Sequence, residues 1–242
     1  MAFTPLSNEE LAALRQLNSP TISNAIEMFD VQPRNVGFMD SRIKCLFPDL
    51  GVMIGYATTV TIAAELPATR AVSREEYWEH IESVPTPRVA VVKDLDQPQA
   101  IGSFWGEVNS SVHRALGCIG TITEGGVRDL AEMHSLGFHT FALAPIVSHA
   151  YVHMENFGIP ISVGGVVVFP GHLIHADRHG AIVIPRDIAR EVAAAAHELD
   201  AAERILINEA QSGTATRASL TAANAECQAA LMVVQQKYAR RV

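Results

Sequence analysis

The sequence predicts a mixed α/β fold followed by two long C-terminal helices, and three observations carry that reading. Strand-like and helix-like segments alternate from Tyr56 to Pro145; the segments beyond Ile159 are short, apolar and divided by glycine turns; and the tail from Arg186 to Val242 is alanine-rich with apolar residues at helical spacing. The chain has 242 residues and is 48% hydrophobic, which is enough to fill one core, so a single domain spanning 1–242 is expected.

Ser7-Asn8-Glu9-Glu10 is a capping box ahead of LAALRQL, predicting a short helix from about Asn8, and a second helix is expected around Thr21 to Phe29. YATTVTIAA from Tyr56 is rich in β-branched residues and predicts a strand, and Ser73 caps a helix running to about Ser83. From Arg88 the expected order is strand (RVAVVKDL), helix from about Gly106 to Leu116, strand (CIGTIT), a glycine turn, helix from about Arg128, and strand (HTFALAP). ISVGGVVVF, HLIHA and AIVIP then predict a small β-rich layer, with Gly164-Gly165 as a hairpin turn. The two tail helices divide near Ser212-Gly213.

Charge and cysteine usage exclude several functions. The net charge is −8 and the basic residues are scattered, leaving no stripe for a phosphate backbone, so no nucleic-acid partner is expected. Cys45, Cys118 and Cys227 are odd in number and lack CxxC spacing, which fits a reducing cytoplasm better than a disulfide framework or a cysteine zinc site. The N-terminal residues carry no targeting pattern and no stretch is apolar for ~20 residues, so no membrane partner is expected. Neither glycine pair forms a GxGxxG fingerprint, and nucleotide cofactors are not supported.

The segment with chemical content is Glu124-Gly125-Gly126-Val127-Arg128-Asp129, placed between an apolar strand and an amphipathic helix. Glycines permit positive φ and close approach of backbone to a ligand, and a helix start offers free N–H groups. Arg128 supplies a planar fork for a carboxylate, and Asp129 a hard oxygen ligand for Mg²⁺ or Mn²⁺. Together they describe a site for a 2-oxo acid. On local sequence alone the plainer alternative stays open, with Asp129 as a helix cap and Arg128 as a solvated charge.

The arrangement FWGEVNSSVHRALGCIGTITEGGVRDLAEMHSLGFHTFA followed by PGHLIHADRHGAIVIP resembles the family that joins 4-hydroxy-4-methyl-2-oxoglutarate aldolases with the regulator of ribonuclease activity A. The family-like core covers about 20–190, with 186–242 as a helical extension. The resemblance implies an αββ sandwich of the swivelling β/β/α kind, assembled as homotrimers or homohexamers with sites between subunits. It further implies class II, metal-dependent pyruvate aldolase chemistry on a small-molecule 2-oxo acid, with oxaloacetate decarboxylation as a companion reaction. By the match of motifs, Arg128 anchors the carboxylate, Asp129 holds the divalent metal, and the amides after Gly106, at Glu107, Val108 and Asn109, complete the substrate pocket. A glutamate from a neighbouring subunit assists a catalytic water, a role for which Glu203 is the candidate and Glu198 the substitute. The loop here reads GEVNSS, departing at Asn109 and Ser110 from the apolar-then-small pattern of many aldolases, so a different 2-oxo or diketo acid stays open as substrate. So does a non-catalytic regulator on the same fold, although such a protein has no use for an arginine-aspartate pair in a glycine turn.

Other residues compete for attention. Lys93, in VAVVKDLD, is positioned for a metal-free Schiff base if buried, and for an ordinary strand-end charge otherwise. His149 and His153 stand four apart, and His172, His175 and His179 lie around a turn; they lack a complete zinc ligand pattern and are expected to be hydrogen-bonded structural residues, with a substrate contact by one of them as the alternative. Glu107 complements a helix dipole whether or not it also meets substrate. Trp78, beside Tyr77, is expected to pack at an interface, and Trp105 is a second candidate pocket wall.

Overall fold

The computed structural model describes residues 4–240, which form two compact units: residues 4–5 with 37–186, and residues 6–36 with 187–240. The chain enters the second of these first, through α1 (Asn8–Arg15) and α2 (Ser19–Glu27). The capping box forms as expected: Ser7 Oγ accepts from the Glu10 amide at 3.2 Å and Glu10 Oε2 accepts from the Ser7 amide at 2.6 Å. Asn18 caps α2 in the same way, from the amide of Thr21.

The first unit then runs β1 (Lys44–Cys45), β2 (Met53–Ala63), α3 (Arg74–Ser83), β3 (Arg88–Asp94), β4 (Ser103–Trp105), α4 (Glu107–Ala115), β5 (Cys118–Thr123), β6 (Gly126–Val127), α5 (Leu130–Ser135), β7 (His139–Ala142), β8 (Ala144–Pro145), β9 (His153–Phe157), β10 (Ile161–Val163), β11 (Val166–Val168), β12 (Leu173–Asp177) and β13 (Gly180–Ile184). The central sheet has the order β1-β7-β5-β3-β2-β12-β13, with β9 also paired to β2. Strands β2, β3, β5 and β7 are mutually parallel, whereas β12, β13 and β9 add antiparallel pairs.

Sheet residues alternate between two cores. Val89 and Val91 pack with Ile161, Val163 and Val168 of the β10–β11 hairpin, whereas Ala90 and Val92 pack with Tyr77 and Ile81 of α3 and Met133 of α5. Helices, sheet and hairpin therefore form the three layers of an αββ sandwich, the expected fold class. With both faces covered, β2 is buried along almost its whole length, which is why its sequence reads as a continuous apolar and β-branched run.

One expectation is corrected. HLIHA and AIVIP do not belong to the extra β layer: β12 pairs with β2 and β13 with β12, so both extend the central sheet, and only the β10–β11 hairpin lies outside it. The sequence cue for the separate layer was brevity and glycine punctuation, which a hairpin added to a sheet edge shares. The turn of β10–β11 is Gly164-Gly165, at φ 55° and 78°, the left-handed pair that a two-residue hairpin demands.

In the second unit α6 (Val192–Gln211) and α7 (Arg217–Tyr238) pack along one another, separated by a break at Ser212-Gly213. Val192, Ala195, Ala196, Leu199 and Ala202 form the buried stripe of α6, spaced as one helix face requires. Tyr238 closes on Phe29 with ring centroids 5.2 Å apart, and Arg190 on Glu10, tying the tail helices to α1 and α2.

Candidate functional site

Strands β3, β5 and β7 end on the same side of the sheet. The chain continues from them into a small parallel sheet, β4-β6-β8, with Trp105 opposite Val127 and Val127 opposite Pro145. Carboxyl ends of parallel strands are where α/β folds present their ligand-binding loops. Two such loops meet here: Gly106-Glu107 leaves β4 for α4, and Arg128-Asp129 leaves β6 for α5.

Asp129 holds them together. Its Oδ2 accepts from the Glu107 amide at 3.0 Å and stands 3.8 Å from Arg128 Nε, while the Arg128 amide donates to Trp105 O at 3.2 Å. Arg128 and Asp129 are each more than a third exposed, so their mutual attraction adds little stability; the amide bond to Glu107 is the fixing contact. Gly106 makes the approach possible. Its φ of −170° suits any residue, but a Cβ there would lie 2.4 Å from Asp129 Oδ2. Behind it, the buried Ser110 hydroxyl donates to Gly106 O at 2.8 Å. The first-turn amides of Val108 and Asn109 have no hydrogen-bond acceptor among the described residues, as expected for a helix start.

The structure alters two readings of the turn. Helix α5 begins at Leu130 rather than at Arg128, and Gly125 and Gly126 are not in the positive-φ region. The left-handed residue is Asp129 itself, at φ 51° and ψ 47°, a conformation that costs a non-glycine residue roughly 1 kcal/mol and that aspartate tolerates better than most. Gly126 serves space instead, because a Cβ there would lie 2.4 Å from Ile146 Cδ1. The plainer reading is met in part: Asp129 occupies the N-cap position of α5 and Arg128 is exposed, but the Asp129 carboxylate makes no bond to α5 and takes the first amide of α4 instead.

Beneath the turn lies an anchor that sequence reasoning missed. Glu124 is almost wholly buried; its Oε1 accepts from the Gly164 amide at 2.9 Å, and its Oε2 from Gln99 Nε2 at 3.0 Å and from Lys93 Nζ. Glu124 thus ties the turn to the hairpin layer. Lys93 is held as the ammonium partner of this carboxylate, so a free-amine nucleophile would require breaking a largely buried ion pair. Next to it, the Asp94 carboxylate accepts from the amides of Asp96 and Ala100, while burial pushes its carboxyl above the usual range. The available signal was an acidic residue directly before a glycine pair at a strand end, where solvation is poor.

Helix α4 is fixed from its other flank. Tyr77 Oη lies 2.9 Å from His113 Nε2, and His113 Nδ1 lies 2.7 Å from Asn109 O. Because a carbonyl only accepts, Nδ1 carries the proton and Nε2 accepts from the tyrosine. Both side chains are buried, and burial pushes the His113 pKa down to about 4. Tyr77→Phe leaves Nε2 without a donor and is expected to cost about 1–2 kcal/mol, read from chemical denaturation. The same histidine makes stability pH-dependent. Unfolded, it binds a proton near its ordinary 6.5; folded, only near 4, so between these values the unfolded state carries more protons. Its contribution is complete above about pH 6.5 and is lost progressively as pH falls toward 4, on the order of 3 kcal/mol over the span. Denaturation midpoints at pH 7 and pH 4.5 check this, and a profile identical in His113→Phe would assign the effect elsewhere.

The remaining candidates fall outside this cluster. His149, His153 and His179 hydrogen-bond to Ala150 O, to Tyr151 O and Glu155, and to Asp177, respectively, and His175 is fully buried in β12. Among the described residues no group of three His, Cys, Asp or Glu side chains could together hold a metal. Trp105 is buried in the helix-side core, and half-buried Trp78 lines a cavity with Val108 and Asn109. Glu203 and Glu198 lie on α6 in the second unit; Glu198 accepts from Lys237 and Tyr238, bonds that hold its carboxyl below the usual range.

Residues 19–183 match the RraA-like family, described as Aldolase/RraA, and the chain belongs to it. It is 30% identical over 115 residues to Protein DlpA of Legionella pneumophila, covering 47% of this chain and 18% of that protein. It is 30% identical over 135 residues to the "Putative 4-hydroxy-4-methyl-2-oxoglutarate aldolase" of Halalkalibacterium halodurans, covering 55% of this chain and 60% of that one. The chain thus spans less than two thirds of either relative. In fold it is similar to an uncharacterized protein from Pseudomonas syringae (TM-score 0.71, 22% identity, 93% and 96% of the two chains covered). It is also similar to Streptomyces coelicolor RraAS2, an unusual member of the RNase ES inhibitor RraA protein family (TM-score 0.64, 24% identity, 83% and 97% covered). Among the described residues no helix is long and apolar enough to cross a membrane.

Proposed function

We propose that this chain is a divalent-metal-dependent carbon–carbon lyase that cleaves a 4-hydroxy-2-oxo acid to release pyruvate, with Mg²⁺ or Mn²⁺ held at Asp129. The observation that carries the reading is the placement of the Asp129 carboxylate: denied to its own helix, it is held in a left-handed backbone between Arg128 and the start of α4, with Oδ1 free of hydrogen bonds among the described residues. The similarity to the "Putative 4-hydroxy-4-methyl-2-oxoglutarate aldolase" of Halalkalibacterium halodurans supports the same chemistry.

The donor set suits such an ion. One carboxylate without histidine or cysteine partners fits a hard, largely hydrated cation whose coordination a chelating substrate completes, and does not fit zinc. Bound there, the ion would supply Lewis acidity to the 2-oxo group. Arg128 takes the substrate carboxylate in its fork, and the amides of Val108 and Asn109 add donors at a helix start. As the C4 hydroxyl loses its proton and the C3–C4 bond breaks, the bonding pair remains on the three-carbon fragment, where Arg128 offsets the charge; protonation at C3 completes pyruvate. Glu203, from a neighbouring subunit of a homotrimer or homohexamer, is the proposed partner of the water that relays the C4 proton. Loss of CO₂ from oxaloacetate leaves the same fragment and is the expected companion reaction.

The test is pyruvate release from 4-hydroxy-4-methyl-2-oxoglutarate and from oxaloacetate, with Mg²⁺ or Mn²⁺ and with excess chelator. Release abolished by chelator and restored by metal supports the lyase; silence on both substrates, in folded protein that binds neither ion, would favour a protein-binding regulator.

A further inference from the structure

A cavity of about 280 Å³ opens between the loop after β2, helix α3, the first turns of α4 and strand β9. Its wall includes Trp78, Phe104, Val112 and Met154, and its charged residues are Arg70 and Arg74. No carboxylate lines it, although the chain as a whole carries a net charge of −8. Neither Arg128 nor Asp129 is among the lining residues, although Val108 and Asn109, at the start of α4, line it with their side of the helix.

Most of the polar groups in the wall are already engaged. Tyr77 and His113 satisfy one another, His153 bonds to Tyr151 O and Glu155, and Arg70 bonds to Glu155. Arg74 is different: its exposed guanidinium has no hydrogen bond or ion pair among the described residues. A chamber with an aromatic and aliphatic side, a polar side and an exposed, unpaired cation at its rim, in an otherwise acidic protein, suits an amphipathic anion. We propose that this cavity binds a small carboxylate with an aromatic or branched apolar body, the body between Trp78, Phe104, Val112 and Met154 and the carboxylate at Arg74. The inference does not depend on the lyase assignment.

The test uses 3-phenylpropionate, which has no 2-oxo group and so cannot report on the Arg128-Asp129 turn through chelation. Calorimetric titration is expected to show saturable binding with Kd near ~1 mM, accompanied by a change in tryptophan fluorescence that Trp78→Phe removes, since Trp105 is buried. Arg74→Gln is expected to weaken binding about fivefold. Val112→Phe, which fills the chamber, is expected to abolish it, whereas Arg128→Lys leaves it unchanged. Arg74 is exposed, so its variant remains informative even where Val112→Phe does not fold. Absence of saturable binding to the wild type, equal affinity in Arg74→Gln, or loss in Arg128→Lys would each overturn the proposal.

Discussion

Asp129→Asn is expected to lower pyruvate release by roughly 10²–10³-fold while leaving the protein folded. Asparagine is nearly the same shape, tolerates the left-handed backbone at φ 51°, and keeps an oxygen that can accept from the Glu107 amide. What it removes is the negative charge that a hard cation requires. Stability should therefore stay within about 1 kcal/mol of the wild type, and isothermal titration should show that Mg²⁺ or Mn²⁺ binding has weakened. Wild-type turnover in Asp129→Asn would sink the lyase reading at its root. Asp129→Ala separates the two contributions: it loses the amide partner as well and adds the cost of a left-handed alanine, so it should be less stable than Asp129→Asn and no more active.

Gly106→Ala should give the second large effect by a different route. The new methyl would stand 2.4 Å from Asp129 Oδ2, and the carboxylate, as the end of a side chain, would yield before the backbone does. Its bond to the Glu107 amide would break and the pair would move by about an ångström, enough to cost about 10²-fold in a reaction that depends on placement. Because φ at Gly106 is −170°, alanine is not strained there, and the loss of stability should be no more than about 1–2 kcal/mol. The check is a kinetic comparison with Asp129→Asn in one assay: the alanine variant keeps the charge, so its metal dependence should stay near the wild type's while its turnover falls, whereas the asparagine variant should need a higher metal concentration for half-maximal release.

Much of the layered fold was legible in sequence because its signals are local. Ser7 and Ser73 cap helices by satisfying nearby amides, and β3 and β5 are apolar runs closed by polar residues. What was not legible depends on distant partners. Strand β9, HMENF, has no clean alternation and exists because it pairs with the far half of β2, whose near half pairs with β12. The same holds at the site. Arg128, Asp129 and Gly106 could be named from motifs, but Asp129 facing α4 rather than its own helix follows from how β4 and β6 align. Glu124 was passed over because its three partners, Lys93, Gln99 and Gly164, come from 25 to 40 residues away.

The way Asp129 is held also bears on how such a chain can change through descent. Aspartate and asparagine codons differ by one base, and the backbone bond at this position needs only an oxygen, which both residues provide. A lineage can therefore lose the negative charge at this position in a single step and keep a scaffold whose layers, packing and helix caps are untouched. If the proposed lyase chemistry holds, the charge at this position is the first place to look when sorting relatives that do chemistry from relatives that only bind.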